Sequence, residues 1–215
     1  MRSKANMNTN SLKWFSLVAG LLLVAGYLAG YFLSNQFSGE LQPALQHLQN
    51  LALQIRQNQS VWHTFWTIFL NNVVAALFMI VLGIGAGILP ALMIWLNGLL
   101  MGFVTYLMVT KVHVPAWKVV VFGLLPHGIF ELTALILASG LGLQIGFAGL
   151  HSAYAWSKHA FAKSGSVMPV RSISFRGELR RAVFWFPFIV GLLLLAAIVE
   201  STVTPFLLHW SGISG

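Results

Sequence analysis

The chain has 215 residues, of which 58% are hydrophobic and 7% charged, and its formal net charge is +8. Soluble domains carry about 25% charged residues, and several runs here exceed the roughly 18 apolar residues that mark a spanning helix, so a soluble globular fold is excluded. With no cysteine, disulfides and thiolate metal sites are excluded as well.

Residues 1–11 form a polar tail with Arg2 and Lys4. The first span follows over 12–33. It is long for a signal-peptide core and lacks a small-x-small cleavage site, so it reads as a signal anchor. Residues 34–60 form an external segment. Within it, Leu41, Leu45, Leu48, Leu51 and Ile55 fall on one stripe between Gly39 and Gln57, which predicts an amphipathic helix at the interface or against the bundle.

Residues 61–150 are expected to be the central helix bundle. A second span covers 61–82 and a third 89–110, joined by a tight connection containing Gly83, Gly85, Gly87 and Pro90. A polar hinge follows over 111–115. The stretch 117–150 is too long for one crossing, ~50 Å as a helix against a hydrocarbon core of ~30 Å. Gly123 and Pro126 offer a break, so a half-helix over 117–124 and a full span over 127–148 are expected, with a broken or re-entrant helix near 117–126. Residues 151–181 form a basic loop and 182–209 the last span. The fold class is therefore all-α, a polytopic membrane bundle of five spans. Continuous apolar runs, in place of alternating ones, argue against a β-barrel.

The basic residues lie in loops beside the spans, which points to topology and away from nucleic acid. With a cytoplasmic N-terminus, nine Lys and Arg fall inside (Arg2, Lys4, Lys13, Lys158, Lys163, Arg171, Arg176, Arg180 and Arg181) and three outside (Arg56, Lys111 and Lys118). That asymmetry places the chain in the cell membrane with an external C-terminus and makes 151–181 a cytoplasmic loop. Trp62, Trp66, Trp95, Trp117, Trp156, Trp185 and Trp210 fit interfacial anchors near span ends.

Four spans carry costly polar groups at comparable depth: Asn71 and Asn72, Asn97, His127 with Glu131, and Glu200. Ionisable residues in hydrocarbon cost roughly 2.5 kcal/mol or more and usually face a protein interior or cavity. His127 and Glu131 are spaced i, i+4 and share a helix face. An imidazole with carboxylates suits a divalent transition metal such as zinc better than calcium. His127, Glu131 and Glu200 are the candidate ligands, and Asn71, Asn72 and Asn97 the surrounding polar core. The spacing differs from His-Glu-x-x-His, and the chain has neither a phosphate loop nor any Asp for a Ser–His–Asp set.

The pattern Phe69-Leu70-Asn71-Asn72, Leu96-Asn97-Gly98 with Gly102, Leu125-Pro126-His127-Gly128 with Glu131, and Ala196-Ala197-Ile198-Val199-Glu200 with Thr204-Pro205 resembles the stage II sporulation protein M family of integral membrane proteins. The resemblance covers about 61–205. It implies a membrane scaffold of the kind that recruits cell-wall hydrolases, and a conserved polar core matched here by Asn71, Asn72, Asn97, His127, Glu131 and Glu200. The expectation is a non-enzymatic, homodimeric scaffold or assembly factor in the lipid bilayer. The alternatives are a small-solute or ion transporter using Glu131 and Glu200, and an intramembrane metal-dependent hydrolase.

Overall fold

Every element of the computed structural model is helical; it describes residues 9–37, 60–161 and 175–211, with isolated positions at 39, 43 and 46. The chain enters through α1 (Thr9–Phe32) and a single turn, α2 (Ser34–Phe37). The amphipathic helix expected over 39–57 lies outside the described residues, as do residues 1–8 and 162–174. The chain returns through α3 (Val61–Val81) and a 3₁₀ turn (Leu82–Ile84), and crosses again in α4 (Ile88–Lys111). A short α5 (Ala116–Lys118), a π-helical stretch (Val119–Leu124) and α6 (Leu125–Phe161) then form one helical run, and α7 (Phe175–Trp210) completes the chain.

Among the described residues, five helices are long and apolar enough to cross a membrane. Their outer surfaces show why they need one: Leu21 on α1, Leu70 on α3 and Phe188 on α7 are all more than half exposed, and apolar surface of that kind faces every side. α6 is the central post. It packs against α1, α3, α4 and α7, and its buried residues Ala134, Leu135, Ala138, Leu141 and Ile145 form the middle of the core with Met79, Ile94, Ile189 and Leu193.

The closest helix pair is α1 with α4, and small residues on both sides explain it. Gly26 and Gly30 on α1 touch the backbone of Trp95 and Leu99, while Gly98 and Gly102 on α4 touch the backbone of Leu23 and Tyr27. This is a reciprocal small-xxx-small crossing, the way membrane helices gain packing where the hydrophobic effect does not drive association. A Cβ at any of the four would overlap a carbonyl. Across the same seam the Tyr27 hydroxyl donates to Thr105 Oγ1 over 3.4 Å.

Two segments differ from the sequence expectation. The irregularity near 117–126 takes the form of a π-helix, not a break. Pro126 has no N–H to offer the carbonyl four residues earlier. The chain ahead of it shifts to i→i−5 bonding, with Leu125 N–H donating to Val120 O, and the helix runs on unbroken. The segment 151–181, expected as a loop, is helical at both ends: α6 continues to Phe161 and α7 begins at Phe175. At 37 residues α6 measures ~55 Å, longer than the hydrocarbon core, so its last turns extend past the bilayer.

Arg181 is also displaced from its expected place among solvated loop cations. It is 5% exposed, and its Nη1 donates to Glu178 Oε2 and to Ser11 Oγ, each at 3.2 Å. Gln144 on α6 donates to the same Ser11 hydroxyl oxygen over 2.6 Å, so three helices are tied together at this end of the bundle. At the opposite end, Lys118 donates to the Ser211 carbonyl over 3.2 Å, and Trp117, Phe122 and Trp210 form a chain of ring contacts.

Candidate functional site

The i, i+4 spacing on α6 brings His127 Nε2 and Glu131 Oε2 to 3.9 Å. Both side chains are sheltered, 13% and 19% exposed. Glu200 reaches them from α7, and the three residues offer ligand atoms that all lie within 4.8 Å of one another. Two helices that are distant in sequence therefore deliver one imidazole and two carboxylates to one point inside the bundle.

The polar residues on α3 and α4 behave differently from one another. Asn72 is half-buried and hydrogen-bonds to the Glu131 side chain. Asn97 lines a cavity of about 200 Å³ together with His127 and Glu131, while its own Nδ2 donates to Met93 O one turn back over 3.2 Å. Asn71 is exposed on the outer face of α3, away from the cluster. Successive helical residues point ~100° apart, so two adjacent asparagines do not both face one site.

A further residue of α7, to which the sequence pattern gives no role, reaches the cluster. Thr204, buried on α7 one turn beyond Glu200, places its Oγ1 3.5 Å from His127 Nδ1 and 3.4 Å from the Val199 carbonyl. The direction of the Thr204–His127 hydrogen bond follows the imidazole tautomer: with the proton on Nδ1 the hydroxyl accepts it, and the Nε2 lone pair then faces the carboxylates. This is the tautomer that metal-binding histidines use, with the second ring nitrogen held by a neighbour.

The electrostatics of the cluster disfavour two bare carboxylates side by side. Two carboxylates and an imidazole lone pair converge in a low-dielectric interior, where their repulsion is weakly screened. A divalent cation or shared protons relieve it. The donor set, one nitrogen and two carboxylate oxygens, fits zinc and its transition-metal neighbours.

These features define a polytopic helical membrane protein with a cluster of one histidine and two glutamates among its spans. The profile of the family described as Stage II sporulation protein M matches residues 19–205, and the chain belongs to that family. No curated protein and no solved structure matches it.

Proposed function

We propose that the protein is a non-enzymatic scaffold or assembly factor of the cell membrane, homodimeric, with a divalent transition metal bound by His127, Glu131 and Glu200. The observation that carries this reading is the convergence of those three residues within 4.8 Å from two helices. The metal's role here is structural: it pins α6 to α7 at a point where uncompensated carboxylates would push them apart. Asn72 and Thr204 hold Glu131 and His127 in position.

The dimer rests on Asn71. Its amide faces outward from the middle of α3, where hydrocarbon offers no hydrogen-bond partner, and a second copy of the chain supplies one. The Lys and Arg asymmetry orients the N-terminus to the cytoplasm and the C-terminus to the outside. On that orientation the metal centre lies near the middle of the bilayer, ~15 Å from the outer ends of α3 and α7. Cell-wall hydrolases on that side are the class of partner for such a scaffold.

Native mass spectrometry of the protein in mild detergent tests both parts at once. The expected species is a dimer carrying one metal ion per chain. A metal-free monomer would contradict the proposal.

The cavity beside His127 and Glu131 supports a second reading, an ion or small-solute pathway. Flux into proteoliposomes that disappears in Glu131→Gln would establish it over the scaffold.

A further inference from the structure

At the basic end of the bundle, a cavity of about 480 Å³ opens between α1 and α7. That volume lies within the roughly 300–1,000 Å³ range of ligand sites. Leu12, Leu137, Phe184 and Trp185 line it, and three polar residues share its wall: Lys13, Ser16 and Arg181. Phe184 is 68% exposed at the rim, so the cavity opens sideways, toward the bilayer.

We propose that this cavity binds one acidic phospholipid, its acyl chain along Leu12, Leu137 and Phe184 and its phosphate between Lys13 and Arg181. The proposal is independent of the metal centre, because Arg181 lies ~28 Å from Glu200 along α7.

Two observations carry it. The first is charge. Lys13 and Arg181 border the cavity, and Arg176 and Arg180 are exposed on the same end of α7, whereas Glu178 is the one acid there among the described residues. The balance stays positive after the Glu178–Arg181 pair is counted. The second is preorganisation. Arg181 is fixed through Nη1 by Glu178 and Ser11, so its guanidinium is held at the cavity wall before any ligand arrives.

The apolar wall and sideways opening select a lipid over a free anion. Trp185 sits beside the site where an interfacial tryptophan marks headgroup depth. An arginine fork and a lysine point charge are the side chains that recognise phosphate.

Native mass spectrometry of the full chain, with palmitoyl-oleoyl phosphatidylglycerol or the matching phosphatidylcholine added, tests the proposal. Phosphatidylglycerol should be retained at one per chain and phosphatidylcholine should not. Lys13→Gln, at an exposed position, should weaken retention about fivefold. Arg180→Gln, outside the cavity, should leave it unchanged, and excess inorganic phosphate should not displace the lipid. Equal retention of both lipids, equal losses in the two variants, or displacement by phosphate would each overturn it.

Discussion

The Thr204 hydroxyl stands 3.5 Å from Nδ1 of His127, joining α7 to α6 one turn from the point where Glu200 meets Glu131. That contact gives the Nδ1 side of the imidazole a partner on the neighbouring helix. It also connects two features that are far apart in the chain, the Pro-His-Gly-x-x-Glu segment and the Glu-x-x-x-Thr-Pro segment. In Thr204→Val, which keeps shape and removes the hydroxyl, metal affinity should fall by about 10–100-fold. Competition with a chromophoric chelator reads the change; an unaltered affinity would separate Thr204 from the centre.

Removing a ligand should do more than removing its support. Glu131→Gln and Glu200→Gln should each abolish stoichiometric metal, and His127→Ala likewise. Acid should mimic these variants, because protons compete with the metal for the same lone pairs and binding weakens as pH falls. Metal content across a pH series checks the sign. Retention in acid equal to that at neutral pH would argue against direct ligation.

The α1–α4 seam should tolerate no side chain. Gly98→Leu or Gly102→Leu drives a side chain into the backbone of Leu23 or Tyr27 and should destabilise the protein by about 3 kcal/mol. Gly191→Ala is the control, since nothing lies within 4 Å of a Cβ built there. Thermal unfolding in detergent distinguishes them, and equal melting temperatures would mean the crossing relaxes freely.

The two adjacent asparagines should separate by function. Asn71→Leu should raise the dimer dissociation constant roughly fivefold and leave metal content intact. Asn72→Leu should do the reverse, because its partner is Glu131. Analytical ultracentrifugation and metal analysis of both variants decide the matter; identical behaviour would refute the assignment of faces.

Arg181 belongs to the structure more than to the surface charge. Replacing it with Leu leaves the sheltered Glu178 without its ion-pair partner and should cost about 3 kcal/mol, with Glu178→Gln in the same chain recovering part of the loss. Unfolding curves of the single and double variants measure the coupling, and additive effects would show there is none.

Much of this architecture was legible in the amino-acid order. Uninterrupted apolar runs locate several helices closely: 12–33 for α1 (Thr9–Phe32) and 89–110 for α4 (Ile88–Lys111). The meeting of His127 and Glu131 follows from i, i+4 spacing alone, and the shared depth of Glu200 points to the same place. Facing was not legible. A membrane helix is apolar on both its lipid and its core sides, so its pattern does not say that Asn72 turns inward and Asn71 outward. The π-helix was hidden for another reason: Pro126 forces a change in hydrogen bonding, and whether the helix breaks or widens depends on packing around it. The burial of Arg181 was unreadable because its partners, Glu178 and Ser11, come from the start of its own helix and from the first helix of the chain.

The claim on which the account depends is that His127, Glu131 and Glu200 hold a divalent metal. Elemental analysis of the protein, purified at neutral pH without chelator, tests it most directly. The account predicts one transition-metal ion per chain in the wild type and none in Glu131→Gln. Wild-type protein that is well folded, yet holds no stoichiometric metal and takes none up when zinc is supplied, would contradict it.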